Sequence, residues 1–100
     1  MMYFISSYNI VATVYPDGRA AIAYELNSAW WGRGLARLAV QAMIDELADQ
    51  HGVRRLSAVL KRENQRSMRL LQRLGFVLAS PAEHAQREVE RDEYLMQRSI

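Results

Sequence analysis

The stretch from Tyr24 to Gly34, Tyr-Glu-Leu-Asn-Ser-Ala-Trp-Trp-Gly-Arg-Gly, restricts this chain to few folds. Before it, Arg19 to Leu26 alternates as a strand does: Ala20, Ile22, Tyr24 and Leu26 on one face, Ala21, Ala23 and Glu25 on the other. After it, Leu35 to Gln50 repeats at helical spacing, with Ala36, Val40, Met43 and Leu47 as the apolar stripe and Arg37, Gln41, Asp45 and Asp49 opposite. Gly32 and Gly34 flank Arg33 at the junction. A strand that passes through such a turn into a helix creates an anion site. The first helical N–H groups lack partners, and the helix dipole adds positive charge. Glycine admits a phosphate close to the backbone, and Arg33 adds a planar fork of donors. The turn therefore points to a phosphate-bearing ligand. The competing reading is a tight connection that needs glycine only for its dihedrals.

Composition excludes several classes. There is no cysteine, hence no disulfide, thiolate nucleophile or cysteine metal site. His51 and His84 lie far apart, without metal-ligand spacing. No apolar run approaches the ~20 residues of a membrane span. The start, Met1 to Ile5, lacks the basic and apolar regions of a secretory signal. The expectation is one cytoplasmic domain over residues 1–100, with no membrane partner. The net charge of +2 exerts no strong pull on nucleic acid. Arg54, Arg55, Lys61, Arg62, Arg66, Arg69 and Arg73 do crowd the second half, either as a solvated face or as counter-charge to a polyphosphate.

Tyr3 to Ile5 and Ile10 to Tyr15 read as strands, and Pro16-Asp17-Gly18 as the turn into Arg19–Leu26, giving an antiparallel meander. Gly52 stops the long helix. Arg54 to Lys61 is the next strand, apolar on both faces through Leu56, Ala58, Leu60 and Val59. Asn64 caps a second helix, Gln65 to Leu74, whose buried side is Met68, Leu71 and Leu74, and Gly75-Phe76 ends it. Phe76 to Ala79 is a short strand, Ser80 to Arg91 a long polar loop with at most a helical turn, and Asp92 to Arg98 a last strand.

Two motifs now stand in order: Tyr24-x-Leu26 running into Trp31-Gly32-Arg33-Gly34-Leu35-Ala36, and Asn64-x-x-Ser67 running into Leu74-Gly75-Phe76. Together they resemble the GNAT superfamily of acyl-CoA-dependent N-acetyltransferases, and within it the branch that acetylates protein N-termini, including those of ribosomal proteins. The resemblance implies an α/β (α+β) fold, with a mixed, mostly antiparallel sheet and two main helices. Complete family domains begin with a further strand and two helices, and this chain starts near the second strand.

The resemblance also implies a division of labour. Backbone N–H groups from Trp31 and Gly32 through Arg33, Gly34, Leu35 and Ala36 would hold the pyrophosphate of acetyl-CoA. The strand ending at Leu26 would splay from its parallel neighbour, with pantetheine paired to Glu25 and Leu26. The Tyr24 amide would polarise the thioester carbonyl. Asn64 and Ser67 would line the gap from the other side, with Ser67 as the candidate to protonate the leaving thiolate. The tyrosine that many members carry on this helix falls on Leu71. Glu25 is the nearest acid in sequence to act as base, and both histidines read as surface residues.

Three functions are then compared: acetyl transfer from acetyl-CoA to a primary amine by direct attack, CoA binding without catalysis, and a basic nucleic-acid module. The last leaves the glycine turn unexplained. Leu35, Leu38, Ala39, Ala42 and Ile44 exceed what one helix stripe needs, and a sheet with helices on one face leaves apolar area open. Association is expected, as a homodimer or with a complementing chain.

Overall fold

The computed structural model describes residues 2–7, 9–24 and 34–100, with the Ser7 side chain excepted. Their order is β1 (Tyr3–Ser7), β2 (Ile10–Val14), β3 (Arg19–Tyr24), α1 (Leu35–His51), β4 (Arg55–Lys61), α2 (Gln65–Arg73), β5 (Val77–Leu78), α3 (Pro81–Gln86) and β6 (Glu93–Ser99). The strands form one sheet in the order β1-β2-β3-β4-β6-β5. Only β3 and β4 run parallel; every other pair is antiparallel.

The Pro16-Asp17-Gly18 turn does more than close a hairpin. Gly18 sits at φ 85°, and its carbonyl accepts the N–H groups of Arg54 and Arg55 at 2.8 and 3.2 Å. This turn thereby docks the start of β4 beside the start of β3. The return path is α1, which stops at Gly52 with φ 64°, whose N–H bonds back to the Leu47 carbonyl.

One sheet face carries Ile10, Ala12 and Val14 of β2, Ala20 and Ile22 of β3, Leu56, Ala58 and Leu60 of β4 and Met96 of β6, all buried against α1 and α2 in one core. α1 buries the expected Ala36, Val40, Met43 and Leu47, and also Ala39 and Ile44, while Leu35 and Leu38 stay exposed. On α2 the buried side is Ser67, Leu70 and Leu71, continued by Leu74, with Met68 only half-buried.

The opposite face departs from expectation twice. Val59 is 48% exposed, so β4 is covered on one face along most of its length. The polar stretch after Ser80 opens with a short helix before it turns into loop: Pro81–Gln86 is helical, started by a reciprocal capping box between Ser80 and Glu83 with proline at the first turn. α3 lies against β6 on this second face, where His84 bonds the Leu95 N–H and Leu95 is 1% exposed.

His84 is likewise a structural residue rather than a surface one. β5 ends at Leu78, and Ala79 bonds to the Leu95 carbonyl. The Leu95 N–H then finds His84 Nε2 at 2.9 Å, and His84 Nδ1 faces the Ser80 carbonyl at 2.9 Å. Those partners assign the neutral tautomer with the proton on Nδ1. His84→Ala would strand a buried N–H, a loss of about 1–3 kcal/mol. We expect the melting temperature, followed by circular dichroism, to fall by roughly 5 °C or more.

Candidate functional site

The parallel pair does not stay together. β3 and β4 are paired from Arg19↔Arg55 to Ile22↔Ala58. Ala23 and Tyr24 remain in β3, still paired to Val11 and Ile10 of β2, but have no partner on β4. β4 meanwhile continues to Lys61 against β6. Ile22, Ala23 and Tyr24 on one side and Ala58 to Lys61 on the other thus border a cavity of about 230 Å³, with Asn64, Ser67 and Leu71 of the α2 region along it. Its position, at the carboxyl ends of two parallel strands, is where open α/β sheets bind ligands. A wider trough of about 820 Å³ lies at the other end of the sheet, between Arg19, Arg55, Arg98 and α3. It is larger, but it sits at the amino ends of β3 and β4, away from both sequence motifs.

Three polar side chains meet at the gap. Asn64 is the N-cap of α2, and its carboxamide oxygen accepts the Ser67 N–H at 3.1 Å. This serine does not face solvent. It is 3% exposed, and its hydroxyl lies 2.5 Å from the Tyr24 phenol oxygen. Burial pushes the Tyr24 phenol above its ordinary pKa, and the Ser67 hydrogen bond offsets part of that rise. The phenol is therefore neutral throughout the physiological range. Leu71, 1% exposed, supplies no proton.

The second part of the site is the start of α1. Gly34 takes φ 69°, a left-handed conformation that suits glycine, and its carbonyl accepts the first helical bond from Leu38 at 3.2 Å. Among the described residues no side chain caps this end, and no acid stands in the first turn. Arg37 occupies that turn instead, a charge the helix dipole disfavours until an anion arrives. Ala36 is buried at 2%, and Leu35 is exposed. Glu25, Leu26, Trp31, Gly32 and Arg33 lie outside the described residues.

The arginine-rich second half is partly accounted for by local contacts. Lys61 pairs with Asp92 at 3.0 Å and approaches Glu93 at 3.7 Å, and Arg62 stacks over the Tyr94 ring at 4.5 Å. Among the described residues, no three or more His, Cys, Asp or Glu side chains cluster as a metal site, and no helix is long and apolar enough to cross a membrane. Sequence reasoning took the Tyr24 amide and passed over its phenol. The contact with Ser67 spans 43 positions, and no local pattern announces it.

The comparisons converge on one family. The chain is 40% identical over 60 residues to a protein called uncharacterized N-acetyltransferase p20 from Bacillus licheniformis, covering 60% of this chain and 34% of that protein. Its fold is similar to that of a ribosomal-protein-S5-alanine acetyltransferase from Vibrio fischeri, with a TM-score of 0.68, 22% identity, and coverage of 90% of this chain and 53% of the other. It is similar also to the Campylobacter jejuni N-acetyltransferase PseH, solved with acetyl coenzyme A, with a TM-score of 0.71, 13% identity, and coverage of 90% and 57%. The chain thus spans about a third of that sequence relative and just over half of those solved chains. The family description "Acetyltransferase (GNAT) domain" matches residues 4–77, across both motifs and the parted strands, and the chain belongs to the GNAT acetyltransferases.

Proposed function

We propose that residues 1–100 form one acetyl-CoA-binding domain of a cytoplasmic N-acetyltransferase, which moves acetyl from acetyl-CoA to a primary amine. The observation that carries this reading is the parting of β3 from β4 after Ile22↔Ala58, with the Tyr24–Ser67–Asn64 chain at the opening. An extended, amide-bearing ligand fits such a gap, because it can pair with strand groups that the sheet leaves free. A pyrophosphate fits the α1 start, where no described side chain caps the N–H groups and the first turn carries Arg37 and no acid. Trp31, Gly32 and Arg33 would extend that cradle, and Glu25 and Leu26 would pair with pantetheine.

Without cysteine there is no thiol for an acyl-enzyme, so the amine attacks the thioester carbonyl directly. The C–N bond forms, the C–S bond breaks, and the electron pair goes to sulfur. The Tyr24 amide would stabilise the carbonyl oxygen, and the Ser67 hydroxyl would meet the sulfur. Glu25 is the candidate base. A protein N-terminus is the acceptor we favour, on the motif resemblance and the ribosomal-protein neighbour.

A second reading, CoA binding without catalysis, rests on one observation. Among the described residues, those lining the gap include no carboxylate and no histidine that could deprotonate an amine. Calorimetric titration with acetyl-CoA, followed by acetylation of mixed amines and N-terminal peptides, decides between them. Binding with turnover is expected. Binding without turnover favours the second reading, and no binding overturns both.

We further propose that a second copy covers the open sheet face. Phe4, Val11 and Val59 lie on it, 66%, 42% and 48% exposed, with exposed Ala23 between.

A further inference from the structure

The gap between β3 and β4 contains one contact that acetyl transfer as written above does not use. Tyr24 closes β3, and its phenol reaches across to Ser67 Oγ at 2.5 Å. Ser67 is held from behind as well, because Asn64 fixes its backbone N–H at 3.1 Å. The serine hydroxyl makes no other hydrogen bond with the described residues. We infer that the Tyr24 phenol is a positioning residue for Ser67: by donating to Ser67 Oγ, it turns the serine proton into the gap, towards the sulfur of the bound thioester. The inference rests on the reading of this gap as the acetyl-CoA site.

A helical serine ordinarily donates back to a carbonyl three or four residues earlier. For Ser67 those are the carbonyls of Asn64 and Glu63. A serine bonded that way would offer the gap only lone pairs, which repel a sulfur gaining negative charge. Here Ser67 Oγ makes neither bond, and the phenol, by donating to one of its two lone pairs, leaves the serine proton free for an acceptor in the gap. The phenol is the better donor of the two, being the more acidic hydroxyl. Burial also keeps it protonated across the working pH range.

The pair supplies a hydrogen bond and not a proton. Tyrosine ionises near 10, and burial raises it here, whereas an aliphatic thiol such as cysteine ionises near 8.5. Transfer from Tyr24 through Ser67 to sulfur would therefore run uphill. As the C–S bond breaks and its electron pair localises on sulfur, the Ser67 hydrogen bond strengthens, polarised by the Tyr24 donor behind it. The proton that finally neutralises the thiolate is one released from the acceptor nitrogen as the C–N bond forms.

The test needs no acceptor. CoA and desulfo-CoA are titrated calorimetrically into wild type, Tyr24→Phe, Ser67→Ala and the double variant, at pH 7 and at about pH 9.5, where the free thiol is ionised. Wild type should prefer CoA by about tenfold at the higher pH, the scale of a hydrogen bond to a charged group. Tyr24→Phe should lose most of that preference while its desulfo-CoA affinity stays within about twofold, and the double variant should match Ser67→Ala. Equal losses on both ligands in Tyr24→Phe, or losses that add to those of Ser67→Ala, make the phenol a packing group and overturn the inference. Wild type binding both ligands alike also overturns it, with the CoA site intact. Wild type binding neither overturns the acetyl-CoA reading itself. Melting curves establish that each variant is folded, and if Ser67→Ala is not, Tyr24→Phe alone decides the sulfur comparison.

Discussion

Gly34→Asp should lower acetyl-CoA affinity by about 100-fold or more while leaving the chain folded. The two halves of this expectation have separate causes. A Cβ at Gly34 meets nothing within 4 Å among the described residues, so the substitution creates no clash with them. The residue sits at φ 69°, where a side chain is strained, but aspartate tolerates this region better than most non-glycine residues, so the fold should lose only about 1 kcal/mol. A carboxylate at the helix start also suits the dipole, and can supply the cap that α1 lacks. The melting temperature should therefore move little. Binding is another matter, because the same carboxylate would stand where the pyrophosphate is proposed to sit. Two like charges at 4 Å repel by about 4 kcal/mol at an effective dielectric of 20, more than the roughly 2.7 kcal/mol of a 100-fold loss. Gly34→Asn is the control: similar in shape, tolerant of the same backbone and uncharged. It should retain most of the affinity in calorimetry. A folded Gly34→Asp that binds like wild type would remove the phosphate site from α1.

What could be read from the sequence were features with a local cause. The left-handed glycines that start and stop α1, Gly34 and Gly52, the Asn64 cap and the alternation from Ala20 to Tyr24 each arise within a few residues. So does α3, whose Ser80-Pro81-Ala82-Glu83 start is a legible capping box. It was passed over because Pro81–Gln86 buries no residue, and periodicity detects only helices with an apolar stripe. His84 gave no signal at all. Its task follows from where β5 stops, and that is fixed by sheet register. The proposed site divides the same way. Asn64 and Ser67 are recognisable from their spacing, but the use of Tyr24 depends on how far β3 runs beside β4. Nothing in Arg19–Tyr24 itself marks Ile22 as the last paired residue. The residues that part are ordinary strand formers, and the parting is expected from the family resemblance but not from these residues themselves.

The open sheet face makes the second large prediction, which concerns assembly. Phe4 on β1, Val11 on β2 and Val59 on β4 share that face, with small Ala21 and Ala23 of β3 between them. α3 shields only the β6 end, where Leu95 is buried. Two such faces can pack as sheet layers do, about 10 Å apart with strands roughly aligned, through a symmetric interface that closes at two copies. Covering an apolar side chain of this size is worth about 1.5–3 kcal/mol, and each copy contributes three. Sedimentation at micromolar concentration should show a dimer. Val11→Lys with Val59→Lys should yield a folded monomer, since both positions are already exposed in the single chain and the two ammonium groups would be buried only on association. A wild-type monomer that binds a dye for exposed apolar surface would assign the face to a different chain. A wild-type monomer without dye binding would mean that Phe4, Val11 and Val59 are too scattered to need a cover, and the homodimer would be wrong in either case.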